Sequence, residues 1–113
     1  MKKRSLIAAC AVLAAAAMVP QGALAQGKPI KIALIASKTG PSEQYARDTE
    51  RGLRIGLEQL TNGTMTVIGR KIELIVKDDQ FKPDLSKAML TEAFGDDNAD
   101  IAIGTSWSGG ALA

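Results

Sequence analysis

Hydroxyl side chains and glycines cluster in one short segment of the 113-residue chain, Gly-Thr-Ser-Trp-Ser-Gly-Gly at residues 104–110. Several hydroxyl and amide donors with little side-chain bulk suit a carboxylate or another small anion. An ordinary helix-capping turn, with a serine as its N-cap residue, accounts for the pattern equally well. Thr105, Ser106 and Ser108 are therefore the candidate anion-binding residues.

Catalytic interpretations of the same segment meet specific obstacles. The nucleophile elbow of hydrolases requires Gly-x-Ser-x-Gly, and Ser108 stands where the second glycine is needed. The chain contains no histidine that could act as a base. The glycine spacing matches neither a dinucleotide-binding fingerprint nor a phosphate-binding P-loop, and no lysine follows the glycines. No catalytic residue is assigned.

Two adjacent carboxylates, Asp78 and Asp79, follow an apolar segment and could bind a cation or share a proton. The residues after them do not continue as an EF-hand calcium loop, so a solvated or capping strand end is the favoured interpretation. Asp96 and Asp97 are interpreted in the same way. The sequence predicts no metal ligand and no cofactor.

Tyr45 and Trp107 each combine an aromatic ring with a polar group, and both fall near the loops expected to face a ligand. Core packing is the alternative for Tyr45, because this residue also lies on the apolar stripe of a predicted helix. Phe81 and Trp107 each follow a predicted strand closely, so we expect the two rings to pack on each other.

Three predicted strands position these segments. The nearly continuous apolar run at residues 28–37 predicts a strand that is buried on both faces, as in a parallel sheet covered by helices. Apolar and polar residues alternate at 70–79, which predicts a second strand nearer the sheet edge. Residues 100–104 begin a third, short buried strand.

Two predicted helices connect the strands. The first runs from Glu43 to Leu60 after a capping Ser42, and the second begins at Pro83 and ends at Gly95. The apolar residues expected to face the sheet are Tyr45, Thr49, Leu53, Gly56, Leu57 and Leu60 in the first helix, and Leu85, Ala88, Met89 and Phe94 in the second. Strand, helix, strand, helix, strand with long connections predicts parallel, right-handed βαβ units of an α/β domain.

The first 25 residues have the composition of a secretory signal. Three basic residues precede an apolar run from Leu6 to Val19, and Ala23-Leu24-Ala25 forms a cleavage site before Gln26. This run is shorter than the about 20 residues that a membrane-spanning helix needs. Cys10, the single cysteine, lies in the signal, so we expect no disulfide in residues 26–113.

Charge excludes one class of partner. Three of the 14 Lys and Arg residues lie in the predicted signal, which leaves 11 against 12 Asp and Glu residues. The two signs are interspersed, and aromatic residues make up only 4% of the chain. No nucleic-acid-binding surface is expected, because such a surface combines clustered basic residues with stacking aromatics.

Taken together, the segments resemble the N-terminal lobe of type I periplasmic binding proteins, in the branched-chain amino-acid (Leu/Ile/Val-binding) family of ABC transporter substrate-binding proteins. The resemblance covers residues 29–113. It is most specific at Thr39-Gly40-Pro41, at Gly-Arg-Lys-Ile of residues 69–72, and at Asp78-Asp79-Gln80 followed by Pro83. It implies a two-lobed, non-catalytic periplasmic receptor that delivers a small ligand to an ABC permease in the inner membrane.

The resemblance also implies roles for individual residues. Ser108 matches the serine that holds the ligand carboxylate, and Tyr45 matches an aromatic position that contacts the ligand side chain. Thr105 and Ser106 are weaker candidates from the same loop. Some relatives have a disulfide at the positions of Phe81 and Trp107, which aromatic packing would replace here. The implied ligand is a branched-chain or other amino acid, although relatives also bind urea, amides and aromatic carboxylates.

Residues 1–25 are accordingly expected to be a signal peptide and residues 26–113 part of the N-terminal lobe of a longer protein. Two alternatives stay open. One is a secreted α/β enzyme, and the other is the extracellular sensor domain of a signalling receptor, each with the rest of its site beyond residue 113.

Overall fold

The structure, a computed structural model, describes residues 27–113, which form four strands and three helices. The predicted signal at residues 1–25 lies outside the described residues. The elements are β1 (Ile30–Ala36), α1 (Glu43–Leu60), β2 (Thr66–Val67), β3 (Arg70–Asp78), α2 (Pro83–Gly95), β4 (Ile101–Ile103) and α3 (Ser108–Ala111). Among these residues, no helix is both long and apolar enough to cross a membrane.

One mixed sheet has the strand order β2-β3-β1-β4. β1 is central and runs parallel to both neighbours, with Ile32 opposite Leu74 of β3 on one side and Ile101 of β4 on the other. The predicted parallel βαβ arrangement is therefore confirmed.

β1 is buried on both faces because successive side chains of a strand point to opposite sides. Ala33 and Ile35 pack on the α2 side of the sheet, whereas Leu34 and Ala36 pack against Ala46 of α1. The near-continuous apolar run of this strand thus fills two separate layers of core, as its sequence predicts.

The buried face of α1 differs from the predicted stripe. Ala46 is fully buried and Leu53 packs against the same core, but Tyr45 is 69% exposed and Leu60 is 84% exposed. The helix approaches the sheet through its small alanine, which was not in the predicted set. In this orientation of α1, Tyr45 and Leu60 face solvent.

The buried face of α2 was also predicted incorrectly in part. Ser86 and Ala93 are its buried residues and Met89 packs on the core, whereas Phe94 is about half exposed. Ala88 is exposed as well. A polar serine occupies the buried face because the carboxylate of Asp79, directly after β3, accepts its hydrogen bond, an interaction that apolar periodicity does not detect.

Sequence analysis missed β2. Its two residues pair antiparallel with Arg70 and Lys71, through a turn in which Ile68 and Gly69 both have positive φ. Because this pairing covers only the beginning of β3, most of that strand stays at the edge of the sheet, in agreement with its alternating pattern.

Helix ends follow the predicted boundaries with one difference at the first cap. Ser42 is the N-cap residue of α1, but its hydroxyl makes no capping hydrogen bond. At the other end, Asn62 and Gly63 adopt positive φ, and the Gly63 amide donates to the Glu58 carbonyl at 2.7 Å. The predicted stop is therefore confirmed.

Asp97 is not a solvated strand end. Its carboxylate pairs with Lys77 of β3 at 2.6 Å, and Glu92 of α2 pairs with the same ammonium group at 2.6 Å. The close contacts with Asp97 and then with Glu92 are the main causes that raise the pKa of Lys77. The lysine thereby ties the edge strand to α2 and to the segment that follows it.

Two leucine substitutions test the assignment of the core in the whole mature protein. Leu34→Ala should lower the free energy of unfolding by about 2–5 kcal/mol, because it leaves a cavity between β1 and α1. Leu60→Ala removes the same atoms from an exposed position and should cost less than about 0.5 kcal/mol. Denaturant titration measures both, and equal losses would contradict the assignment.

Candidate functional site

The carboxyl ends of β1, β3 and β4 meet at one edge of the sheet because the three strands are parallel. The segments that follow them are residues 37–42, 79–82 and 104–107. Ligands of open parallel sheets bind beyond this edge. The serine-rich segment and the adjacent carboxylates found in the sequence are therefore brought to the same edge.

Gly104 allows the chain to leave β4 across the top of β1. Its φ is +144°, in the region that favours glycine, and a Cβ atom here would lie 2.2 Å from the Ile35 carbonyl oxygen. No other residue type could make this close approach without moving the backbone. The course of the serine loop, defined as residues 104–108, depends on it.

Asp79 joins the segments at this edge, and its side chain is fully buried. Oδ1 accepts hydrogen bonds from the Ser37 hydroxyl at 2.5 Å and from the Phe81 amide at 3.0 Å. Oδ2 accepts from the Ser86 hydroxyl at 2.7 Å and from the Trp107 indole nitrogen at 3.3 Å. Four donors from four segments thus converge on one carboxylate.

The electrostatic balance keeps Asp79 ionised. Burial is the largest single influence and raises the pKa of Asp79. The four hydrogen bonds together lower this pKa by more than burial raises it, so the net pKa is below the usual value of an aspartate; the donors are Ser37, Ser86, Phe81 and Trp107. The expectation of a solvated strand end is wrong for this residue. Solvation is replaced by a complete set of protein donors, which is what a buried carboxylate requires.

Asp78 behaves as the capping interpretation predicts. Its Oδ1 accepts hydrogen bonds from the amides of Lys38 and Gln80, both at 2.9 Å, and its Oδ2 accepts from the Thr39 hydroxyl at 2.9 Å. These bonds attach the loop after β1 to the end of β3. The two adjacent carboxylates therefore serve different segments.

The predicted packing of Phe81 on Trp107 is confirmed. The rings are stacked, with centroids 4.2 Å apart and planes inclined by 26°. Gln80 and Phe81 both have positive φ, a conformation that is costly for residues other than glycine. Their amides donate to the carboxylates of Asp78 and Asp79 respectively, which holds this turn in place.

The candidate residues of the serine loop differ in their hydrogen bonding. The Thr105 hydroxyl donates to the Trp107 carbonyl at 2.7 Å, so it stabilises the loop itself. Within residues 27–113, the hydroxyls of Ser106 and Ser108 form no hydrogen bond, and Ser108 is exposed. The N-cap residue of α3 is Trp107, without a side-chain capping bond, so a serine cap does not explain the segment.

Tyr45 lies in the first turn of α1, after the loop that follows β1. Its 69% exposure is inconsistent with the core-packing alternative. All four candidates thus lie near the carboxyl edge of the sheet, three of them in one loop. No hydrogen bond joins Tyr45 to that loop in the described part of the chain.

Sequence analysis overlooked the network around Asp79. Ser37 directly follows the most buried strand, and Ser86 lies three residues after the first residue of α2. Both positions indicated that these serines could lie near the carboxyl edge of the sheet. Neither position shows by itself that the two hydroxyls meet one carboxylate. Within residues 27–113, no group of three or more acidic, histidine or cysteine side chains is placed to hold a metal ion.

Comparison with known proteins identifies the family. Residues 29–113 match a family model described as periplasmic binding protein. The chain belongs to this family. Comparison with curated protein sequences gives no match.

Solved structures agree with this identification. An ABC-type branched-chain amino acid transporter from Rhodopseudomonas palustris CGA009 is 67% identical, with a TM-score of 0.73 over 74% of this chain and 22% of that chain. A solute binding protein of an ABC transporter from R. palustris BisB5, in complex with 3,4-dihydroxybenzoic acid, is 28% identical (TM-score 0.68, 74% and 22%). A leucine binding protein from Thermotoga maritima is 25% identical (TM-score 0.66, 74% and 23%).

The chain therefore has the type I periplasmic binding protein fold, and the resemblance to branched-chain amino-acid substrate-binding proteins is confirmed. It spans less than a quarter of the length of each of these three structures.

An Asp79→Asn substitution tests the ionised state of the carboxylate. Because the pKa of Asp79 is lowered in the folded protein, its stabilisation is complete above about pH 4 and disappears as the pH falls through the folded-state pKa. At pH 7, Asp79→Asn should lower the free energy of unfolding of the whole mature protein by about 1–3 kcal/mol. Denaturant titration should show that this difference shrinks below about pH 4; a constant difference would contradict the assignment.

Proposed function

We propose that this protein is the substrate-binding component of an ABC transporter and captures a small carboxylate ligand without catalysing a reaction. Membership of the periplasmic binding protein family and 67% identity to a branched-chain amino acid transporter protein support this function. The observation that carries it is the position of Ser106 and Ser108 at the carboxyl edge of the sheet, where their hydroxyls form no hydrogen bond within the described part of the chain.

The chemistry of the serine loop suits a carboxylate. Helical hydrogen bonds of α3 begin with the Ala111 amide, which donates to the Trp107 carbonyl at 3.3 Å. The amides of Ser108 and the two following glycines therefore have no acceptor inside the helix. Gly110 is buried, so the amides of Ser108 and Gly109 together with the Ser108 hydroxyl are the short donors offered to an anion. Hydrogen bonds to a charged acceptor are the stronger kind.

The proposed ligand is a branched-chain or other amino acid, or a related carboxylate. Tyr45 supplies an exposed aromatic ring on the same side of the fold for contact with the ligand side chain. One related structure is a leucine binding protein and another contains 3,4-dihydroxybenzoic acid. These two ligands share a carboxylate but differ in the attached group. In this proposal, the serine loop binds the shared carboxylate and Tyr45 contacts the variable group.

Calorimetric titration tests this function. The whole mature protein is titrated with branched-chain amino acids, other amino acids and benzoate derivatives. We expect saturable binding of at least one carboxylate and no turnover. Absence of binding across the panel, with the protein demonstrably folded, would contradict the proposal.

Ser108→Ala localises the site within the same titrations. Loss of a donor to a buried carboxylate should weaken binding by about 1–3 kcal/mol. Thr66→Ala is the matched control, because this exposed hydroxyl lies on β2 beside the beginning of β3, at the opposite edge of the sheet. Equal affinity of Ser108→Ala and the parent protein would remove Ser108 from the site.

We also propose that residues 1–25 are a cleaved signal peptide and that the mature protein works in the periplasm with a permease of the inner membrane. Family membership and the composition of the first 25 residues support this location. Mass spectrometry of the exported protein should find Gln26 at its N-terminus. Recovery of the protein with residues 1–25 still attached would contradict it.

A further inference from the structure

The Trp107 indole occupies the space inside the turn that carries Ser108. A Cβ atom on Gly109 would lie 2.0 Å from the indole Cζ3 atom, and one on Gly110 would lie 2.9 Å from the indole nitrogen. The glycines therefore close directly around the ring. A shift of the indole toward either glycine would displace this turn, because the ring already lies against both.

Two groups outside the loop hold the indole. Phe81 stacks on its face, and Asp79 accepts the hydrogen bond of its N–H group. Asp79 is itself held by Ser37 at the end of β1 and by Ser86 of α2. The indole is thus held in place through contacts that lead to β1 and α2, and not by the serine loop alone.

We propose that Asp79 is a positioning residue for ligand capture, because its carboxylate fixes the Trp107 indole and the indole fixes the turn that carries Ser108. Asp79 is fully buried, so it acts through Trp107 and not by contact with the ligand. This role rests on the proposed function. Its structural part, the fixing of the serine loop, can be measured without any ligand.

The conformation of Phe81 supports this role. A phenylalanine with φ of +59° is unfavourable unless surrounding interactions require it. Here the Asp79 carboxylate holds the Phe81 amide, and the resulting turn presents the Phe81 ring to the indole. One carboxylate therefore controls both contacts that locate Trp107.

Trp107→Phe in the whole mature protein tests the proposal, because phenylalanine keeps an aromatic ring against Phe81 and removes the N–H donor to Asp79. Thr61→Ala is the matched control for lost stability. Thr61 is buried, and its hydroxyl joins the end of α1 to the Met65 amide at 3.0 Å, far along the chain from the Asp79 network. Each variant removes one side-chain group that forms a partly buried hydrogen bond.

Hydrogen exchange of backbone amides is the first measurement. Trp107→Phe should accelerate exchange of the Ala111 and Leu112 amides, which donate to the Trp107 and Ser108 carbonyls, whereas Thr61→Ala should leave both amides unchanged. Unchanged exchange of these two amides in Trp107→Phe, or equal acceleration in both variants, would overturn the proposal. This measurement does not depend on which ligand the protein binds.

Affinity is the second measurement, with L-leucine and 3,4-dihydroxybenzoate as the probes. Trp107→Phe should bind whichever probe the parent protein binds about tenfold more weakly, and Thr61→Ala should differ by less than about twofold. Parent-like affinity in Trp107→Phe would overturn the role in capture. If the parent binds neither probe, that result counts against the proposed ligands, and hydrogen exchange still decides the positioning role.

The unmodified protein provides an independent test if Trp107→Phe fails to fold. The indole N–H resonance of Trp107, assigned through its contacts with Phe81 ring protons, should exchange slowly with solvent, because it is bonded to a buried carboxylate. Exchange at the rate of a solvent-exposed indole would overturn the proposal.

Discussion

Burial of the Asp79 carboxylate is the constraint around which the carboxyl edge of the sheet is organised. An ionised group taken out of water is strongly unfavourable unless protein donors replace its hydration. Here the donors come from the end of β1, the turn after β3, the beginning of α2 and the serine loop. These segments must stay together, because separation of any one leaves the buried charge with a missing partner.

The pleat of β3 explains how two adjacent carboxylates serve different segments. Successive side chains of an extended chain point to opposite faces, so Asp79 faces the α2 side and Asp78 faces the other. Asp78 accordingly accepts hydrogen bonds from the loop before α1, and Asp79 accepts one from Ser86 of α2. One strand end thereby organises the loops on both faces.

The division of hydrogen bonds within the serine loop has a consequence for binding. Thr105 and Trp107 use their polar groups to hold the loop, whereas the hydroxyls of Ser106 and Ser108 form no hydrogen bond within residues 27–113. A loop that is already ordered loses less conformational entropy when a ligand binds. In the proposed function, the buried network orders the loop and the hydroxyls of Ser106 and Ser108 bind the ligand.

The sequence by itself determined the elements that depend on local patterns: the bounds of α1 and α2, the two-sided burial of β1 and the parallel order of the strands. It also placed the candidate loop and the Phe81–Trp107 contact, because both follow from strand ends that meet at one edge. Only the tertiary structure decided the exposure of Tyr45 and the burial of Asp79. Tyr45 is exposed because α1 packs on the sheet through Ala46, a contact between segments that local pattern does not reveal. Asp79 can be buried because its donors come from as far as 42 residues away in the chain.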